Sequence, residues 1–206
     1  MEREVAFLNI NTLRMWLHSL NRSTGGPVHL AGHSRGGVIA ALVAKSYPDT
    51  VRTLILAEPA LNRMLGAADP GVEMRQARID KTLQLFDIGN IEGGLQFFID
   101  DVIGADAWKA RTEPERQMAR DNAWTVKGDQ PQTQEPFSCL DAIQIKVPVL
   151  LVGGDQSPPV FRRILDVLAS CLKHSERVTI PNASHNMNRK NASAFNKATL
   201  NFLGKH

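Results

Sequence analysis

Short apolar runs of strand length alternate with stretches of helical periodicity along most of the chain. Val28-His29-Leu30-Ala31 reads as a short buried strand and Val51-Arg52-Thr53-Leu54-Ile55-Leu56-Ala57 as a second. Val147-Pro148-Val149-Leu150-Leu151-Val152, closed by Gly153-Gly154, reads as a third, and Arg177-Val178-Thr179-Ile180 as a fourth. Between the first two lies Val38–Ala44, an apolar helix ending near Tyr47-Pro48-Asp49. Between the third and fourth, a helix from Pro159 to about Lys173 puts Phe161, Ile164, Leu165 and Leu168 on one face. A last helix runs through Phe195, Leu200, Phe202 and Leu203. Before all of these, Phe7, Ile10, Leu13, Leu17 and Leu20 fall at helical spacing. Strands and helices in alternation predict an α/β fold, a mostly parallel sheet flanked by helices on both faces. The first strand–helix–strand unit should be a right-handed crossover.

The stretch from about Ala60 to Ile145 breaks this rhythm and is predicted to be helical. Thr82–Asp87 and Leu95–Ile103 have helix-like apolar spacing. Asp106-Ala107-Trp108 and Thr112-Glu113-Pro114-Glu115 read as helix starts, since Pro and acidic residues suit a first turn. Trp108, Trp124, Phe97, Phe98 and Met118 supply apolar surface, either to pack this insertion or to line a pocket. The expected organisation is a partial core over residues 1–59, a helical insertion over 60–145, and the rest of the core over 146–206.

Gly32-His33-Ser34-Arg35-Gly36 joins the first strand directly to the first apolar helix. A Gly-x-Ser-x-Gly at a sharp strand-to-helix turn is a nucleophile elbow. The flanking Gly32 and Gly36 are expected to permit backbone angles that a Cβ would penalise. The turn should lift the Ser34 hydroxyl clear of the sheet, at the positive end of a helix.

With the elbow, the helical insertion, a strand ending in glycines, and a strand ending in a polar loop with a histidine, the chain resembles an α/β-hydrolase. Pro27–Leu61 and Lys146–Leu203 carry the likeness. That family places several strands before its elbow strand, so the likeness implies a member shortened at its N-terminus. It also implies a Ser–acid–His triad in that chain order. Ser34 is then the nucleophile. His185, in Pro181-Asn182-Ala183-Ser184-His185-Asn186, is the base. One oxyanion donor is the backbone N–H of Arg35, the residue after the nucleophile. The family's other donor loop is often marked by His-Gly, a dipeptide this chain lacks. His33 is expected to pack beneath the elbow.

Two residues compete for the acid. The family's commoner position follows the third strand, in Gly-x-x-Asp-Pro, where the chain reads Gly154-Asp155-Gln156-Ser157-Pro158. Ser157 stands where that aspartate belongs and Asp155 comes two residues early. The other position ends the strand after the nucleophile helix and holds Glu58. Glu58 is preferred, and Asp155 otherwise reads as an Asx-turn or N-cap residue before the Pro159 helix.

Composition narrows the function classes. The 206 residues are 43% hydrophobic and 22% charged with a net charge of +3, as in an ordinary globular protein. The basic residues are scattered and leave no nucleic-acid footprint. No run is long enough to span a membrane, and Met1-Glu2-Arg3-Glu4 does not open a signal peptide. The two cysteines, Cys139 and Cys171, are too few for a disulfide framework or a metal site and predict a reducing, cytoplasmic setting. The expected activity is a cofactor- and metal-free serine hydrolase acting on a small, largely apolar ester or related acyl compound. The alternatives are a haloperoxidase or lyase with the same triad, and a non-catalytic, ligand-binding relative. The elbow strand, with a partner expected only on its Val51–Ala57 side, predicts self-association through a sheet edge.

Overall fold

The computed structural model describes residues 26–129 and 136–206. The helix expected over Phe7–Leu20 lies outside them. Among the described residues, Val28–His33 (β1), Val51–Ala57 (β2), Val149–Gly154 (β3) and Ser175–Ile180 (β4) form one parallel sheet in the order β1-β2-β3-β4. Chain order and sheet order coincide. All the strands therefore end on one side of the sheet, and their C-terminal loops meet there.

Alternation along the central strands divides the core. Leu54, Leu56, Val149 and Leu151 face one layer, with Val38, Ala41, Phe161, Ile164 and Leu168. That layer comes from the helices Arg35–Ser46 (α1) and Pro159–Cys171 (α6). Ile55, Ala57, Leu150 and Val152 face the other, with Ile180, Met187 and Phe202. Here the cover includes the short helix Met187–Lys190 (α7) and the last helix Ala192–Leu203 (α8). β2 and β3 are buried on both faces, which is why both read as continuous apolar runs. β1 corrects the expectation of a buried strand: His29 and Ala31 are exposed and Val28 and Leu30 only half-buried. Among the described residues it is hydrogen-bonded to a strand on one side alone.

Between β2 and β3 the chain runs through the helices Pro70–Asp87 (α2), Ile91–Ile103 (α3), Glu113–Asp121 (α4) and Cys139–Ala142 (α5). Each start has a local cause. Asp69 caps α2 by accepting from the backbone of Gly71 and Val72, with Pro70 as first residue. Asn90 caps α3, and Thr112 with Glu115 forms a capping box for α4. The helix start expected at Asp106-Ala107-Trp108 is instead a run of turns. Asp106 takes a left-handed φ of 61°, which an aspartate tolerates in a turn and a helix does not use. Trp108 is buried with Leu95 and Ile99 and donates its indole N–H to Glu92. Phe97, Met118 and Trp124 remain exposed.

The cysteines correct another expectation. Cys139 and Cys171 form a disulfide across 32 residues, joining the start of α5 to the end of α6. Among the described residues no helix is long and apolar enough to cross a membrane.

The elbow is sterically specified, by a different pair of glycines from the expected one. A Cβ on Gly32 would come within 2.4 Å of the Gly36 carbonyl oxygen, and one on Gly37 within 2.8 Å of Pro59. A Cβ on Gly36 meets nothing within 4 Å. Gly32→Ala should therefore lose about 1–3 kcal/mol, because only backbone can yield. Gly36→Ala should gain a few tenths to about 1 kcal/mol, through the unfolded chain. Calorimetric melting checks this pair. Equal effects at the two positions would contradict the steric argument.

Candidate active site

Three successive strand ends build the site. At the end of β1, Ser34 adopts φ 52° and ψ −119°, left-handed angles that cost a non-glycine residue about 1–3 kcal/mol. Backbone hydrogen bonds hold it there. Its N–H donates to the Ala57 carbonyl, and its own carbonyl accepts from Gly37, Val38 and Ala60. The elbow is thus tied to the end of β2 as well as to α1. Arg35 is the first residue of α1, so its backbone N–H stands at the helix's positive end.

Glu58 follows β2 with a φ of 42° and is 1% exposed. Both its carboxylate oxygens are engaged. Oε2 lies 2.7 Å from His185 Nδ1, and Oε1 accepts from the Gly154 N–H at 2.8 Å. An ionised carboxylate accepts only, so in this pair Nδ1 carries the proton that it donates to Oε2. His185 is itself buried, at 5% exposure. Its ring stacks on Phe161, with centroids 4.2 Å apart and planes 15° apart, and lies 4.5 Å from the tilted His33 ring.

His33 touches the histidine loop directly: its Nε2–H donates to the His185 carbonyl at 2.7 Å. Burial first, and the neighbouring His185 second, hold its pKa below the usual histidine value. It is therefore a neutral donor near pH 7, beside His185 rather than simply beneath the elbow.

Asp155 is not against His185. Its Oδ2 accepts from the Asn182 N–H at 3.0 Å and its Oδ1 from Ala183 at 3.1 Å. These backbone bonds hold its carboxyl below the usual aspartate range. Nor does Asp155 cap the following helix, whose N-cap is Pro158. It fastens the loop that carries His185, where Asn182 is itself left-handed at φ 54°. Gly154 allows the close approach, since a Cβ there would lie 2.2 Å from the Ala183 carbonyl oxygen.

The structure thus brings His185, Glu58 and His33 together beside the elbow. Among the described residues, no hydrogen bond joins Ser34 Oγ to the His185 ring. Resting enzymes often hold such groups apart until substrate tightens them. Two contributors escaped the sequence reading. In sequence Gly154 reads as a strand end and the start of the Asp155 pattern, and Phe161 as a core-facing residue of α6. Their partners lie far along the chain, so no local pattern marks these roles.

A strained serine between a parallel strand and its helix, with a histidine–carboxylate pair at the neighbouring strand ends, is a site of the α/β-hydrolase kind. The chain belongs to the alpha/beta hydrolase fold family, whose profile matches residues 8–191. Among solved structures it is similar to MenH from S. aureus, with a TM-score of 0.72 at 18% identity, covering 100% of this chain and 79% of that one. It is also similar to a bromoperoxidase from Bacillus anthracis, with a TM-score of 0.66 at 21% identity, covering 91% of this chain and 71% of that one. An enol-lactonase from Burkholderia xenovorans LB400 gives a TM-score of 0.64 at 21% identity, covering 95% of this chain and 73% of that one. No curated protein sequence matches significantly.

Proposed function

We propose that the chain is a serine hydrolase that cleaves a small, largely apolar ester or related acyl compound. The observation that carries this reading is the buried bond between His185 Nδ1 and Glu58, which leaves Nε2 to act as the base. In the first half-reaction Nε2 takes the Ser34 hydroxyl proton as Oγ bonds to the acyl carbon. The Arg35 N–H stabilises the negative oxygen that forms. The tetrahedral adduct then collapses, and the leaving alkoxide departs as an alcohol with the proton from His185. In the second half-reaction His185 deprotonates a water, which attacks the acyl-Ser34. A carboxylic acid leaves and the serine is restored. Glu58 stabilises the imidazolium in both halves. The helices between β2 and β3 act as a cap over the site. The chain's neighbours include an enol-lactonase, which supports acyl chemistry on this fold.

A fluorophosphonate probe tests the reading. An activated serine is phosphonylated and an inert one is not. The expected result is a single adduct, located on Ser34 by peptide mass. An unlabelled, folded protein would instead favour a non-catalytic relative.

A further inference from the structure

Several contacts hold His185, and they constrain it unequally. The His33 Nε2–H donates to its carbonyl and fixes the backbone. Glu58 Oε2 accepts its Nδ1–H at 2.7 Å and fixes one atom of the ring. Hydrogen bonds tolerate a broad range of angles, so one such bond leaves the ring free to rock about that atom. The plane of the imidazole, and with it the direction of Nε2, is set by what lies on its faces. The His33 ring is tilted against it by 40°. Among the described residues, Phe161 is the aromatic ring that lies nearly parallel to it, with planes 15° apart and centroids 4.2 Å apart.

Phe161 is itself anchored. It sits in the first turn of α6, where its N–H donates to the Pro158 carbonyl at 3.1 Å. Its side chain is fully buried in the core layer that holds Ile164 and Leu165. From α2, the Arg75 guanidinium lies over the ring, 5.6 Å from its centre. The ring is therefore held from the core and from the helical segment together.

We propose that Phe161 is a positioning residue for the base: its face holds the His185 imidazole in the plane that aims Nε2 at the Ser34 hydroxyl. This role rests on His185 being the base of the proposed hydrolase. Phe161 touches no reacting atom and acts by removing a rocking freedom that the Glu58 bond leaves. That freedom matters, because a misplacement of about 1 Å can cost about 10²-fold in rate.

Turnover and ring order test it separately. With p-nitrophenyl butyrate as reporter, Phe161→Leu should lower kcat per phosphonate-titratable serine by about 10–10²-fold and leave KM little changed. Leu168→Val, two turns further along α6, removes core volume away from the stack and should leave kcat unchanged. In Ser34→Ala the NMR order parameter of the His185 ring carbons should be that of a rigid group, about 0.85, and in Ser34→Ala/Phe161→Leu it should fall below about 0.6. Phe161→Met, which keeps much of the volume without the ring, should behave as the leucine variant does and decides the matter should Phe161→Leu melt as unfolded. A His185 ring equally rigid without Phe161 would overturn the proposal. So would an unchanged kcat in folded Phe161→Leu, or an equal loss in Leu168→Val. Absence of turnover in the wild-type protein would count against the hydrolase reading, whereas the ring order judges Phe161 with Ser34 already removed.

Discussion

Ser34→Ala and His185→Ala should each lower hydrolysis of a p-nitrophenyl butyrate reporter by about 10⁴–10⁶-fold, and the double variant should be no worse than either single one. The size follows from how the groups depend on one another. Without the hydroxyl there is no acyl-enzyme. Without the imidazole the hydroxyl stays protonated at neutral pH. The residual rate would come from the Arg35 N–H and from binding. Ser34→Ala should not unfold the protein through the backbone, because the Ser34 backbone bonds that hold the elbow do not involve its hydroxyl. Ser34→Ala should also relieve little of the strain, since alanine pays for a left-handed φ as serine does. Steady-state kinetics beside a thermal melt separate lost chemistry from lost folding. Turnover persisting in a folded Ser34→Ala would remove the proposed mechanism.

Glu58→Gln should cost about 10³–10⁴-fold in kcat, whereas Asp155→Asn should stay within about tenfold. The glutamine oxygen can still accept from the Gly154 N–H, which turns its amide NH₂ towards His185 Nδ1. Nδ1 must then accept, the ring proton moves to Nε2, and the base faces Ser34 with its lone pair gone. In Asp155→Asn the retained oxygen still takes one of the two loop N–H groups, from Asn182 or Ala183. The loop loosens without losing its route. A collapse of activity in Asp155→Asn beside a near-normal Glu58→Gln would reverse the assignment of the acid.

The reason Glu58 and Asp155 could not be separated in sequence is visible in these contacts. Asp155 lies among residues that suit a helix cap, and caps are local. Its actual partners lie 27 and 28 residues away, on a loop whose position depends on β4. Glu58 reaches His185 across 127 residues, a distance only the sheet order closes. The elbow was legible because strand, turn and helix are contiguous, and Val51–Ala57 because a doubly buried strand writes an unbroken apolar run. The disulfide was not, since a count of cysteines carries no information about α5 meeting α6. The turns at Asp106 imitate a helix start in composition, and only the left-handed φ tells them apart. Gly37 was overlooked for Gly36 because the steric pressure comes from Pro59, on the next strand's exit.

The strands on either side of the long helical segment are direct neighbours, with Leu54 opposite Val149 and the Leu54 N–H bonded to the Pro148 carbonyl. The two strands are parallel, so the segment is a crossover: it leaves beyond Ala57 at one end of the strands and re-enters before Val149 at the other, spanning the strand length as well as one strand spacing. Any crossover long enough to make that return is compatible with the same register, and doubling its length adds only about 0.6 kcal/mol of closure entropy. The sheet behaves as a socket and the helices as an interchangeable fitting. The helices beyond Ala60 can therefore be exchanged wholesale while the hydrogen bonds that hold Ser34 and seat Glu58 stay as they are.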